Sequence, residues 1–272
     1  MAHHVELHIA AKTDIGLIRS HNEDAVAISA AHGIAVVADG MGGYNAGEIA
    51  SGMASVIFKE ILEEKIRHVR WDQQGIHKLI RHWVIESVEH ANSTIFQSAS
   101  LEPEYSGMGT TLVGSFFHHD KVIIAHVGDS RAYRLRQGKL EQITRDHSVL
   151  QEQIDAGLIS EEYARFAPNR NLVTRAVGVA PTLNVETREH VTEAGDIYLL
   201  CSDGLTDMLA LDELAELMNG VQTDLEAACQ MLIDIANKNG GRDNISVVII
   251  RLKSVRTEAA GLAGRIRRWL QR

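Results

Sequence analysis

Four aspartates stand far apart in the chain, each beside a glycine or in a turn: Asp39 in VVADGMGG, Asp129 in AHVGDSR, Asp203 in YLLCSDG and Asp243 in GGRDN. Apolar runs lead into three of them (Ile34–Ala38, Val122–Val127 and Ile197–Cys201), and Ile245–Ile250 follows the fourth. A short apolar run ending in Asp-Gly or Gly-Asp predicts a buried strand that delivers a carboxylate to a sheet edge and then turns. Carboxylates gathered from distant strands repel one another unless a cation lies between them. Hard divalent cations bind through oxygen ligands, so the pattern predicts a metal centre. The segment Arg19-Ser20-His21-Asn22-Glu23-Asp24 adds a guanidinium and two carboxylates in one loop. An arginine there can grip a phosphate bidentately.

Strands must carry these residues. Val5–Thr13, Ala25–Ser29 and Gly33–Ala38 read as strands. Gly47–Lys65 and about Gln73–Ser98 read as amphipathic helices, with Ile57, Phe58, Ile61 and Leu62 in the first stripe and Ile80, Trp83, Val84 and Val88 in the second. Gly109–Phe117 with Lys121–Val127, and Arg131–Arg136 with Lys139–Ile143, read as hairpins. Ser148–Ala156 is a predicted short helix, and Ser160-Glu161-Glu162 the cap of another. Val185–Glu189, Asp196–Cys201 and Ile245–Leu252 are strands, and Leu211–Asn219 and Asp224–Lys238 are helices. Paired helices between blocks of antiparallel strands predict an α+β fold, a strand sandwich with helices outside.

The composition narrows the class. The chain has 272 residues, 45% hydrophobic and 23% charged, with three prolines and no Pro/Ser/Gly-rich linker, which fits one large domain. A net charge of −9 argues against a nucleic-acid binder. Cys201 and Cys229 lie in apolar contexts and read as buried thiols of a reducing compartment. The N-terminus has no signal-peptide core and no run reaches the ~20 apolar residues of a membrane span, so a cytoplasmic protein is expected. The end of the chain is basic: Leu262, Ile266, Trp269 and Leu270 can share a helical face flanked by Arg265, Arg267, Arg268 and Arg272. Such a tail can bind a membrane surface or an acidic partner, or dock on the acidic body.

The segments RSHNEDA, VVADGMGG, GEIAS, GMGTT, VGDSRAY, ITRDHS, NRNLVTRAVG, LLCSDGL and GGRDNISVV follow one another from residue 19 to 249. In that order they resemble the metal-dependent protein serine/threonine phosphatases of type 2C, bacterial form. The resemblance covers nearly the whole chain, about Leu7 to Leu252. It implies a four-layer α-β-β-α sandwich, two antiparallel sheets with helices on both outer faces. It divides the chain into a phosphatase domain, residues 1–252, and a basic tail, residues 253–272. It implies two Mn²⁺ or Mg²⁺ ions, with Asp39 bridging them, the carbonyl of Gly40 on one, and Asp203 and Asp243 on the other. Glu23 and Asp24 hold waters around the ions, Asp129 with Asp203 matches a third, weaker site, and Arg19 matches the phosphate-binding arginine. The implied reaction is hydrolysis of phosphoserine and phosphothreonine in proteins by a metal-activated water, opposing a bacterial serine/threonine kinase. The expected protein is a monomer.

That assignment is physically sound. Two divalent ions ~4 Å apart lower the pKa of a water they share, and no nucleophilic side chain is needed. The metals and Arg19 meet the charge on the phosphoryl oxygens. Gly40, Gly42 and Gly43 are expected to let the backbone approach the metal and turn.

The chain departs from its relatives in two places. Tyr44 stands where many bacterial members have His after DGMGG, and Met41 where eukaryotic members have a His proposed as general acid. The proton for the leaving alkoxide then comes from metal-bound water or from the hydroxyl of Tyr44, and loss of a general acid costs on the order of 10²–10⁴-fold. Ala167 replaces a histidine in the segment that resembles the flap beside the active site. Unchanged rates for Tyr44→Phe and Tyr44→Ala on a phosphothreonine peptide would remove Tyr44 from the chemistry. Arg131 is expected to lock a turn by ion pairing, His126 to be a satisfied core residue, and Trp71 and Trp83 to pack. A pseudophosphatase that only binds phosphoproteins is disfavoured because the ligand carboxylates are all present. A metal nuclease or sugar-phosphate hydrolase is disfavoured by the motif order.

Overall fold

The computed structural model describes residues 5–43, 46–71, 75–160, 172–221 and 223–255. Tyr44, Ala167, the Glu161-Glu162 cap and the basic tail beyond residue 255 lie outside them. The strands are β1 (Val5–Asp14), β2 (Asp24–Ser29), β3 (Ile34–Met41), β4 (Gly109–Thr110), β5 (Leu112–His118), β6 (Lys121–Val127), β7 (Arg131–Arg136), β8 (Lys139–Gln142), β9 (Glu186–Val191), β10 (Ile197–Cys201) and β11 (Ile245–Val255). The helices are α1 (Ala46–Arg67), α2 (Ile76–Leu101), α3 (Val149–Asp155), α4 (Asp203–Thr206), α5 (Leu211–Asn219) and α6 (Leu225–Lys238).

The strands form two antiparallel sheets, one ordered β1-β11-β10-β7-β8 and the other β2-β3-β5-β6-β9 with β4 added to the end of β3. Side chains alternate across a strand, so a strand buried on both faces is apolar throughout. In β3, Ala35 and Val37 face the other sheet while Ile34, Val36 and Ala38 face helices. The apolar residues of β11 divide the same way: Val248, Ile250 and Leu252 between the sheets, Ile245, Val247 and Ile249 under helices. Phe58 and Leu62 of α1 and Ile80, Val84 and Ile95 of α2 cover the second sheet, with Trp83 buried and Trp71 packed at the edge of the same cluster. Leu214 and Met218 of α5 and Leu225 and Leu232 of α6 cover the first. The result is four layers with three apolar interfaces. Each fully buried side chain of this size contributes about 1.5–3 kcal/mol.

The predicted helices form within a few residues of their expected ends. Ser148 caps α3, its Oγ accepting from Gln151 N–H, and Asp224 caps α6, accepting from Ala227 N–H. Three local expectations change. The strand ending at Ala38 runs on to Met41, because Gly40 and Met41 pair with Thr110 and Gly109. The expected strand Gly109–Phe117 divides around Thr111. Asp203 opens a helical turn, α4, instead of a loop. Antiparallel alternation brings the ends of β1, β3, β6 and β10 and the starts of β2, β7 and β11 to one pole of the sandwich. The predicted metal ligands sit at that pole, and β11 carries the chain to the opposite one.

Candidate metal centre

Asp24 and Asp39 are cross-strand partners in the β2–β3 ladder. Like charges directly opposite destabilise a sheet, so the pairing marks a conflict that the fold maintains. The backbone of Asp39 is clamped by the GMGTT segment: its N–H donates to Thr111 Oγ1 (3.0 Å), and its carbonyl accepts from Thr111 N (2.8 Å) and Thr110 Oγ1 (2.8 Å). Asp24 Oδ2 accepts from Ser202 Oγ at 2.7 Å, while its Oδ1 is buried with no hydrogen-bond partner. Asp203, next to Ser202, also has a buried Oδ1 with no partner. Asp243 Oδ1 accepts from Asn244 N–H (2.9 Å), and its Oδ2 accepts from Arg19 Nη2 (2.7 Å). Gly40 N–H donates to the Glu23 carbonyl (3.1 Å), which also accepts from Ser51 Oγ.

Gly40 serves close packing. A Cβ on Gly40 would lie 2.1 Å from the Gly47 carbonyl oxygen, and one on Gly47 would lie 2.6 Å from Glu23 Oε1. The first turn of α1 therefore presses directly on Glu23 of the Arg19–Asp24 loop and on Gly40 of β3. The expected sharp turn at Gly40 is absent, since β3 continues through it.

Burial first, and then the neighbouring carboxylates Asp24, Asp203, Asp129 and Asp243, push the Asp39 carboxyl well above its ordinary range. Asp203 is raised well above it too, by burial and then by Asp129, Asp207, Asp243 and Asp24. Burial lifts Asp24 to about 6 against the stabilising hydrogen bonds of Ser202 and Ser246, and lifts Asp129 to about 6 with help from Asp146. Partial solvent access at Asp39 and Asp203 moderates their shifts. Two buried carboxylate oxygens without donors and mutual repulsion among five aspartates fit divalent cations, and an all-oxygen donor set fits Mg²⁺ or Mn²⁺ better than a soft metal.

Several residues that the motifs did not single out organise this pole. Asn244 is 4% exposed. Its Oδ1 accepts from Glu23 N–H (2.8 Å), and its Nδ2 donates to the carbonyls of Ile15 (2.9 Å) and His21 (3.0 Å). It ties the Arg19–Asp24 loop to the Asp243 turn. Its own carbonyl oxygen would lie 2.0 Å from a Cβ on Gly204, so the SDG and RDN segments interlock. Asp207, one helical turn beyond Asp203, raises both Asp129 and Asp203. Asn244→Ala removes the side-chain partner of three partly buried backbone groups. The expected loss is about 2–5 kcal/mol of unfolding free energy by urea titration, with weakened Mn²⁺ binding.

Arg131 forms the expected turn lock, donating from Nε and Nη2 to both oxygens of Asp146 at 2.6–3.0 Å. His126 departs from expectation. Both its ring nitrogens are buried without hydrogen-bond partners, its ring centroid lies 4.4 Å from that of His147 with the planes tilted by 37°, and burial depresses it to about 4, so it is neutral. His147 Nδ1 accepts from Gly128 N–H (3.2 Å), which places the ring proton on Nε2, facing Glu186 Oε2 at 3.2 Å. His147 thereby links the backbone of Gly128, the neighbour of Asp129, to Glu186. Cys201 and Cys229 are buried free thiols, as expected, each pushed up to about 12 by burial.

A sequence model of the protein phosphatase 2C family matches residues 19–243. The chain belongs to the protein phosphatase 2C family. This phosphatase 2C chain is 37% identical over 247 residues to the serine/threonine phosphatase stp of Listeria monocytogenes, covering 90% of this chain and 95% of that protein. Its fold superposes on the crystal structure of the Mycobacterium tuberculosis serine/threonine phosphatase PstP/Ppp with a TM-score of 0.82 at 34% identity, covering 91% of this chain and 99% of that one. A structure of the PstP catalytic domain in complex with two manganese ions matches with a TM-score of 0.79 at 33% identity, over 91% and 99% of the two chains. The four-layer sandwich read from the motifs is the fold of these phosphatases. Among the described residues, no helix is long and apolar enough to cross a membrane.

Proposed function

We propose that this phosphatase 2C member hydrolyses phosphoserine and phosphothreonine in proteins at a binuclear Mn²⁺ or Mg²⁺ centre and opposes a bacterial serine/threonine kinase. One observation carries the reading: Asp24, Asp39, Asp129, Asp203 and Asp243 converge at one pole, and two of their buried oxygens lack any donor. Asp39, Asp203, Asp243 and the Gly40 carbonyl would hold the two ions, Glu23 and Asp24 would orient the waters around them, and Asp129 would serve a third, weaker ion. When bound, two divalent ions supply a nucleophilic water at neutral pH and offset charge on the phosphoryl oxygens.

Arg19 is half exposed, paired to Asp243, and faces the charges of Glu23 and Asp39. A guanidinium held at the rim by one carboxylate is oriented for a phosphate and keeps donors to spare. Arg19→Ala is expected to lower kcat/KM on a phosphothreonine peptide by about 10–100-fold, mostly through KM, with Mn²⁺ affinity nearly unchanged. Steady-state kinetics at saturating Mn²⁺ check this. Tyr44 is the candidate proton donor or substrate contact.

Residues 1–252 act as the phosphatase domain, and residues 253–272 as a basic tail that contacts a membrane surface or the acidic body. The protein acts in the cytoplasm as a monomer on phosphorylated proteins and binds no nucleic acid. The deciding assay is p-nitrophenyl phosphate hydrolysis with Mn²⁺, with and without chelator, beside Asp39→Ala. Turnover that ignores metal and chelator would remove this function.

A further inference from the structure

A second group of metal-ligating side chains lies far from the aspartates. His77 is the second residue of α2, His118 the last of β5, and Glu189 stands in β9. Register explains how they meet. Phe116 and Glu189 are both cross-strand neighbours of Ile123 in β6, and Phe116 and Ile123 belong to the core under α1 and α2. Side chains alternate along a strand, so Glu189 and His118, two residues past Phe116, turn to that same face. The first turn of α2 brings His77 to them. A ring nitrogen of each histidine and a carboxylate oxygen of Glu189 all lie within 4.8 Å of one another. The group is separate from the carboxylate centre. β6 runs from Lys121 at this end to Val127, close to Asp129, which is about 20 Å at about 3.3 Å per residue.

The donor set and its surroundings select the ion. Two imidazoles and one carboxylate suit a nitrogen-seeking cation, whereas Mg²⁺ and Mn²⁺ prefer an all-oxygen shell. His118 is 0% exposed, with its ring centroid 5.9 Å from Phe116 and 5.3 Å from His77. His119 and Trp71, 5.6 Å apart, continue this aromatic wall. An apolar shell limits water access and strengthens binding at the ligands inside it. His77 and Glu189 are exposed, so the group is open to an ion from solvent, and both side chains have room to close on it. Lys121 Nζ donates to Glu189 Oε1, and the two oxygens of a carboxylate offer further lone pairs to a second cation. We propose that His77, His118 and Glu189 form a Zn²⁺ site, with water in the fourth position. The ion clips the N-terminal turn of α2 to β5 and β9 and so fastens the helical layer to the second sheet. This site does not depend on the phosphatase reading above.

The test uses the whole chain in excess Mg²⁺, which occupies oxygen sites and competes poorly for imidazole. Zn²⁺ is titrated in against a chromogenic chelator. One equivalent is expected to bind in the micromolar range or tighter and to raise the melting temperature by about 5 °C or more at a hundredfold excess over Kd. His77→Ala and Glu189→Gln, both at exposed positions, are each expected to weaken that equivalent by about tenfold or more and to remove the melting increment. His82→Ala, exposed on α2 outside the group, is expected to change neither. Zn²⁺ that enters the carboxylate centre instead would be lost with Asp39→Asn and kept with His77→Ala, and that result would overturn the site. Failure to bind Zn²⁺ in excess Mg²⁺ would overturn it, as would equal affinity in the His77 and Glu189 variants. An equal loss with His82→Ala would mean scattered binding to surface histidines and would overturn it too.

Discussion

Asp39→Asn is expected to lower Mn²⁺-dependent kcat by a factor of about 10³ or more while making the metal-free protein more stable. The two effects share one cause. Asp39 lies opposite Asp24 in the ladder and within the fields of Asp203, Asp129 and Asp243, so ionising it in the metal-free fold is costly. Asparagine keeps the shape and removes the charge. The relief should raise the melting temperature of the metal-free protein by about 2–4 °C for each kcal/mol of repulsion removed. A residue with only a structural role would lose stability and activity together on substitution. Opposite signs therefore identify a ligand. Calorimetry in chelator and single-turnover kinetics in Mn²⁺ supply the two readings, and a variant that retains activity or melts earlier would exclude Asp39 from the centre.

Saturating Mn²⁺ is expected to raise the melting temperature by about 5–10 °C at pH 7.5 and by much less near pH 4.5. Folding raises Asp24 and Asp129 to about 6 from an unfolded value of about 3.9, and burial with mutual repulsion raises Asp39 and Asp203 well above their ordinary range as well. Groups raised by folding stabilise the folded state fully below their unfolded pKa. That contribution is lost as pH rises through the folded values. The metal-free fold is therefore weakened between about pH 4 and pH 6 and beyond, as the cluster is forced to ionise. Mn²⁺ takes the place of the protons, so its stabilising effect grows over the same interval. A melting increment that stays flat from pH 4.5 to 7.5 would show that the ion binds elsewhere.

The positions of the aspartates proposed as ligands were legible because each motif is local. An apolar run sets a strand, and the polar residue at its end marks where the strand reaches water. Strand content was equally legible, since β3 and β11 are apolar on both faces and have layers on both sides. Boundaries were less so. The extension of β3 past Asp39 depends on its pairing with Gly109 and Thr110, residues some seventy positions away that no window around Asp39 contains. Asn244 was missed for a similar reason. Inside GGRDN it reads as a turn residue, and its partners, 221 to 229 residues away, appear only when β1, β2 and β11 share one pole.

The sequence by itself determined which residues are available to bind metal and phosphate, and the sandwich that carries them, because strand period and motif order are written along the chain. Tertiary structure alone decided how those residues stand toward one another. Register set Asp24 against Asp39, and the meeting of two chain segments 224 residues apart set Arg19 on Asp243. The pressing of Gly47 on Gly40 and the gathering of His77, His118 and Glu189 arise in the same way. Each depends on the packing of distant elements, and packing geometry has no period in the sequence from which to read it.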